Sequence, residues 1–351
     1  MARVLLAMSG GIDSSVSAVL LKEAGHDVTG VFMRHGARAS TSARPGKQGC
    51  CSLDDAYDAR RVADRLGIPF YTLDFEEEFG RIIDYFVDEY DRGRTPNPCI
   101  VCNRDLKFGK LFDFADAVGA EYVATGHYAR VERRGSRMAL LKGLDAQKDQ
   151  SYVLFPLGQS ELSRVLFPVG GHEKADIRRK AAEAGLAIAE KPESMEICFV
   201  PDNDHRRLLR ERLGDRLRSG EFQTPDGRVL GRHGGHQLFT VGQRKGLGMA
   251  FGKPMYVVAI APETNVVVLS EEDGTGREMV AGEVNWVASE PRAGTATVKI
   301  RSMHPGAPAR IDPLEGGRVR VVFDEPQRAI TRGQASVFYE GDVVLGGGWI
   351  L

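Results

Sequence analysis

Two cysteines stand three positions apart in TPNPCIVCNRDLKFGK (95–110), Cys99 and Cys102, directly behind two prolines. Such a pair serves as half of a zinc site, as a redox couple, as part of an iron–sulfur site, or as a nucleophile with a neighbouring thiol. A third thiol, Cys198, lies far along the chain in SMEICFV (194–200). Taken alone, a cysteine in an apolar run reads as a buried structural thiol. The run AMSGGIDSS (7–15) carries a different chemistry. Its two glycines let the backbone turn tightly and approach a ligand closely. Ser9, Asp13, Ser14 and Ser15 surround a helix start, where unpaired N–H groups and the helix dipole favour an anion. A Walker loop ends in Gly-Lys-Ser/Thr, and this run has no lysine, so P-loop NTPase chemistry is disfavoured.

These side chains need elements to hold them. RVLLAM (3–8) reads as a buried strand, SSVSAVLLKEAG (14–25) as a helix ending in glycine, and DVTGVFM (27–33) as a second strand. SLDDAYDARRVADRLG (52–67) is an amphipathic helix with Ser52 as its N-cap, and IPFYTLDF (68–75) is a strand. LKFGKLFDFADAVGA and EYVATGHY repeat the helix–strand step. Successive βα units imply a parallel sheet covered on both faces, with the glycine loop at the carboxyl end of its first strand, where such sheets bind ligands. RHGARASTSARPGKQGCC (34–51), which holds Cys50 and Cys51, reads as a mobile loop. After about residue 204 short β-rich runs separated by glycine and proline take over: QLFTVGQRKGLGM, PMYVVAI, NVVVLS, ATVKIRS, GRVRVVFDE and ASVFYEGDVVLGGGWI. They predict one or two small all-β units.

Bulk properties narrow the class. The 351 residues exceed what one core usually supports, and 42% hydrophobic with 27% charged residues describes an ordinary globular chain. No apolar run is long enough to span a membrane, and the short apolar N-terminal run meets a glycine turn rather than a cleavage site. Five cysteines, an odd number, argue against a secreted disulfide framework, so a cytoplasmic protein is expected. A net charge of −1 does not advertise nucleic-acid binding, but HRRLLRERLGDRLRSG (205–220) is either a local basic patch or a solvated helix.

SGG-x-D-S resembles the PP-loop of ATP pyrophosphatases, which cut ATP between the α- and β-phosphates and activate a substrate as its adenylate. That resemblance implies ATP and Mg²⁺, with Asp13 acting through the cation on pyrophosphate and Met33 facing adenine. Adenylation turns the carbonyl oxygen of a base into a leaving group that a sulfur nucleophile can displace. Sulfur carried as a cysteine persulfide needs a second thiol to release it, so two cysteines from distant parts of the chain are the minimum.

In order and spacing, MSGGIDSS, GRTPNPCIVCNRDLKF, ATGHYAR, GLDAQKDQSYVLF, LFPVG, EICFV, TVGQRKGLG and FDEP…GQASVFY…LGGG resemble the tRNA-specific 2-thiouridylases, the MnmA family, over nearly the whole chain. The family replaces the 2-oxygen of the wobble uridine in tRNA with sulfur at the expense of ATP, releasing AMP and pyrophosphate. The resemblance implies an α/β fold: a doubly wound parallel-sheet PP-loop domain (adenine nucleotide alpha hydrolase-like), then a small β-rich domain and a C-terminal β-barrel. The corresponding division is 1–204 for ATP binding and catalysis, 205–276 for a small central tRNA-binding domain and 277–351 for the barrel.

Carried onto matching positions, the ATP site comprises Ala7, Met8, Ser9, Gly10, Gly11, Ile12, Asp13, Ser14, Met33 and Gly126. Asn97, Pro98 and Cys99 meet the target base, Cys102 matches the nucleophile, and Cys198 matches the persulfide carrier, the last two forming a disulfide after transfer. His127, Lys148, Asp149, Gln150, Arg301, Ser302 and Gln334 match contacts to tRNA, whose anticodon stem-loop offers unstacked bases. The QRKG run (243–246) is a further phosphate contact or a charged turn. A cysteine desulfurase or a sulfur-relay protein is the implied sulfur donor. One departure matters: position 99 can be aspartate in the family and is cysteine here. Cys99 is therefore an alternative resolving thiol. Cys99, Cys102 and Cys198 also form a three-thiolate set for a four-iron–four-sulfur cluster with one iron open, as in related tRNA thiolases. A zinc site would need a fourth ligand, for which Cys50 or Cys51 would have to serve.

Overall fold

A five-stranded parallel sheet forms the first layer of the computed structural model, which describes residues 1–36, 53–186, 188, 197–200, 202 and 204–351. Cys50, Cys51, Ser52 and nearly all of the loop expected over 34–51 lie outside the described residues. Strand β1 (Arg3–Ala7) is buried from Val4 onward, as a central parallel strand must be. On one side it pairs with β2 (Asp27–Arg34), which pairs with β3 (Phe70–Asp74); on the other it pairs with β4 (Tyr122–Ala124). A hairpin, β5 (Ala129–Arg134) and β6 (Arg137–Lys142), then leaves the sheet before β7 (Val165–Leu166) returns beside β4. The order β3-β2-β1-β4-β7 places the reversal of direction at β1. That topological switch opens a crevice at the carboxyl end of β1, where the glycine loop stands.

Helices cover both faces. α1 (Ile12–Glu23) and α2 (Leu53–Leu66) share one core with β1 and β2, through Val16, Val19, Val62 and Ala63. α3 (Glu76–Asp91) carries a helical-period stripe of Phe79, Ile82, Ile83, Phe86, Val87 and Tyr90. The stripe packs against Phe222, Phe239, Val257 and Val267 of the middle unit. A continuous helical run follows: α4 (Pro98–Val101), a π-helical segment over Cys102–Lys110, and α5 (Leu111–Val118), which stops at left-handed Gly119. The short α6 (Gln159–Leu162) precedes β7, and α7 (Lys174–Glu183) packs on α1.

The middle unit begins with α8 (His205–Leu213) and has a four-stranded sheet of β8 (Gly220–Gln223), β9 (Val229–His233), β10 (Tyr256–Ala261) and β11 (Val266–Ser270). The run QLFTVGQRKGLGM, expected to be β-rich, is instead a short 3₁₀ turn at His236–Leu238 and a series of turns. Gly242, Gly246 and Gly248 have φ of 87°, 72° and 79°, which a pleated strand does not accommodate.

The third unit closes into a barrel. β12 (Thr275–Trp286), β13 (Gly294–Lys299), β14 (Ala307–Leu314), β15 (Arg318–Arg328), β16 (Ala335–Glu340) and β17 (Val343–Ile350) run in the order β12-β15-β14-β13-β16-β17, and β17 pairs back onto β12. The same sheet extends through β17 into β6 and β5. Ile100, Phe108, Leu140 and Tyr152 from the first unit share a core with Val337, Tyr339 and Val344 of the barrel. Burying such side chains contributes about 1.5–3 kcal/mol each, so this junction is a core and not a hinge.

Candidate active site

The glycine loop is shaped by contacts that exclude larger residues. Met8, fully buried at the end of β1, donates its N–H to the Val31 carbonyl at 2.8 Å. Gly10 has φ 72°, and a Cβ there would lie 2.2 Å from the Asp55 carbonyl oxygen. Gly11 is the N-cap of α1 and supplies no side-chain cap. The Ser14 and Ser15 hydroxyls instead donate back to the Gly11 carbonyl at 3.1 and 2.9 Å. The first-turn N–H groups of α1 thus face the crevice without a capping side chain. Gly126 completes the cradle from the turn after β4, where a Cβ would come within 2.8 Å of the Ser14 nitrogen. This close-walled set of backbone donors at a helix N-terminus fits the phosphates of ATP. Met33, half-buried at the end of β2, packs between two apolar clusters at the rim.

Asp13 is engaged from two sides. The Lys174 ammonium lies 2.7 and 2.9 Å from its two carboxylate oxygens, and the Tyr128 hydroxyl donates to Oδ1 at 2.7 Å. Lys174 is 8% exposed. Sequence reasoning missed this lysine. Its signal was there: a lysine at the first turn of α7 opposes the helix dipole and so calls for another role. A Mg²⁺ ion arriving with ATP would share Asp13 with Lys174.

Asn97 caps the long helical run, its Oδ1 accepting from the Ile100 N–H at 3.3 Å, and Pro98 occupies the first turn, where a missing N–H costs nothing. Cys99 is exposed, and Cys102 is half-buried at the first residue of the π-helical segment, a geometry frequent at functional sites. Cys102 and Cys198 pack against the same apolar cluster, which contains Phe79, Phe86, Val101 and Leu106. Phe199 anchors the Cys198 segment edge-on to Phe79 and Phe86, at centroid distances of 5.7 and 5.3 Å. Among the described residues no three His, Cys, Asp or Glu side chains are grouped to hold a metal ion. The expected three-thiolate set is therefore not assembled here: Cys99 faces solvent, while Cys102 and Cys198 turn onto the apolar cluster.

Comparison with known proteins covers nearly the whole chain. Residues 2–202 match a family described as the tRNA methyl transferase HUP domain, 206–271 a tRNA methyl transferase PRC-barrel domain, and 276–350 an aminomethyltransferase beta-barrel domain. The tRNA-specific 2-thiouridylase MnmA of Carboxydothermus hydrogenoformans is 50% identical over 99% of this chain and 97% of its own. That of Geobacter metallireducens is 51% identical over 99% and 96%. The chain belongs to the tRNA-specific 2-thiouridylase family.

Of the residues that this 2-thiouridylase family member was expected to present to tRNA, two, His127 and Asp149, have buried side chains. His127 is 6% exposed, its Nδ1 2.7 Å from the Thr125 hydroxyl and its Nε2 3.4 Å from the Lys107 ammonium. Burial first, and the Lys107 charge second, hold its pKa well below the ordinary value, so the ring is neutral. Asp149 has a side chain 3% exposed, accepts from the Gly143 and Ser151 N–H groups at 3.1 and 3.0 Å, and lies 3.6 Å from Lys299 of β13. It ties the first unit to the barrel. Gln150 is exposed and its Oε1 accepts the Tyr128 N–H at 2.9 Å. Lys148 and Arg301 are half-buried and Ser302 is exposed. The Gln334 side chain donates to the Thr95 and Pro96 carbonyls at 3.2 and 2.9 Å. In the basic stretch, Arg207, Arg212 and Arg216 pair with Asp202, Asp84 and Asp91. Much of its charge is spent inside the molecule.

Proposed function

We propose that this protein is an ATP-dependent tRNA-uridine 2-sulfurtransferase working by a persulfide–disulfide route. The observation that carries the reading is that Cys102 and Cys198, far apart in sequence, pack on one apolar cluster that Met33, near the carboxyl end of β2, also joins. The loop would hold ATP by its phosphates, with Mg²⁺ and Asp13 on the pyrophosphate side. The uridine O2 attacks the α-phosphorus and pyrophosphate leaves. The outer sulfur of a persulfide on Cys198 attacks C2 and AMP leaves with the oxygen. The Cys102 thiolate then attacks Cys198 Sγ, forming a disulfide and leaving the sulfur on C2. A dithiol resets the pair.

The work divides among units 1–204, 205–276 and 277–351, the latter two clamping the anticodon stem-loop. Lys148, Gln150, Arg301 and Ser302 are accessible enough to meet RNA. The sulfur donor is a cysteine desulfurase or a relay protein, and the setting is the cytoplasm. The test supplies ATP, tRNA and a persulfide source, and reads thionucleoside and AMP by mass spectrometry. Cys102→Ser and Cys198→Ser should abolish the thionucleoside, whereas Cys99→Asp should keep it. AMP formed without thionucleoside by the unsubstituted protein, or a serine variant that still thiolates, would reject the route; loss in Cys99→Asp would move resolution to Cys99.

A further inference from the structure

The loop before the catalytic helix is gripped by a turn of the barrel. Between β15 and β16, the Arg332 carbonyl accepts the Thr95 N–H at 2.8 Å, and the Gln334 amide nitrogen donates to Thr95 and Pro96. Gly333, at φ 87°, passes so close that a Cβ would lie 2.9 Å from the Thr95 oxygen. The turn is itself fixed in the barrel, since the Ile350 N–H donates to the Gln334 carbonyl at 2.9 Å. On the α3 side, burial and then the Glu89 carboxylate push the Tyr85 phenol up to about 12, and the nearby Asn97 backbone N–H offsets part of that rise. Asn97 caps the helix, and Cys99 and Cys102 follow within its first turns. A cavity of about 400 Å³ opens beside the grip, lined by Thr95, Gln334, Arg301, Tyr256 and Arg328.

We infer that Gln334 is a positioning residue: through Thr95 and Pro96 it sets the start of the helix that carries the thiols. Both hydrogens of its amide are committed to backbone carbonyls that no other described side chain is shown to serve. Those carbonyls belong to a segment that proline denies some of its own backbone donors. The barrel is thus part of the catalytic apparatus and not only a surface for tRNA. This inference rests on the proposed sulfur transfer for its kinetic arm and stands apart from it for its structural arm.

Gln334→Met keeps the shape and removes both hydrogen bonds. In the full-length protein without RNA, amide exchange over residues 97–104 should quicken at least tenfold, while the binding of a non-hydrolysable ATP analogue stays at one per chain. In the thiolation assay kcat should fall at least tenfold with the tRNA KM within twofold. Exchange within twofold of the unsubstituted protein overturns the inference. So does a tenfold rise in KM at unchanged kcat, which marks a direct RNA contact. If the unsubstituted protein does not thiolate tRNA, the proposed function fails, and the exchange arm still decides the grip.

Discussion

Replacing Lys174 with methionine tests the electrostatics of the nucleotide loop most directly. Its ammonium bridges both oxygens of Asp13, at 2.7 and 2.9 Å, with side chains 10% and 31% exposed. Removing one partner of a fully buried pair costs about 3–5 kcal/mol, because the other charge is left without compensation. Asp13 keeps the Tyr128 hydroxyl, and water reaches nearly a third of it, so a loss of about 2 kcal/mol is the expected size. At about 2–4 °C per kcal/mol for a domain of this size, the melting temperature of Lys174→Met should drop by about 4–8 °C. Asp13→Asn/Lys174→Met should recover part of that, because the stranded charge is gone, giving a coupling of about 1–2 kcal/mol in a double-mutant cycle by urea denaturation. A Lys174→Met protein within about 0.5 kcal/mol of the parent, or strict additivity in the cycle, would refute the claim that the pair holds the loop.

Other consequences follow from the same geometry. Gly126→Ala drives a Cβ against the Ser14 nitrogen at 2.8 Å, so calorimetry should find ATP-analogue binding weakened at least about tenfold in a protein that still folds; unchanged affinity would mean the turn does not wall the cradle. Asn97→Ala removes the cap on the catalytic helix and should cost about 1 kcal/mol in denaturant unfolding. His127 is neutral when folded, while the unfolded chain takes up a proton as pH falls through about 6.5, so its contribution to stability is full above that value and is lost in acid. The melting temperature should therefore fall more between about pH 7.5 and 5.5 for the parent than for His127→Gln, and parallel slopes would show that this histidine does not titrate on unfolding.

What could be read from the sequence was what is local. The alternation of β1, α1 and β2 and the glycine turn between them are written in consecutive residues, and the structure follows them closely. The stripe of Phe79, Ile82, Ile83 and Phe86 is just as local but was not read from the sequence, and its partners in the middle unit lie far along the chain. Contacts joined over long separations left no such trace. Lys174 meets Asp13 across 161 residues, and the acidic partners of Arg212 and Arg216 lie in α3. For that reason the sequence left the arginine-rich stretch open between a basic patch and a solvated helix. Gln334 and Asp149 were picked out by resemblance as RNA contacts, and the structure shows each bonded to its own chain. His127 was hidden for another reason: nothing in ATGHY says that its ring points inward against Phe108.

The hairpin that leaves the first sheet for the barrel also orders events during biogenesis. Tyr152 bonds to Ala335 across 183 residues, and the strand that meets β6 comes later still. At about 5–20 residues per second, a ribosome needs roughly ten to forty seconds to supply those partners. Through that interval Phe108, Leu140 and Tyr152 lack the aliphatic wall that later covers them, and the hairpin shows an open edge, a condition that invites holding by chaperones. The grip on the thiol helix, which needs Arg332 and Gln334, therefore forms only after the residues of the nucleotide crevice, the last of them Lys174, have long been made.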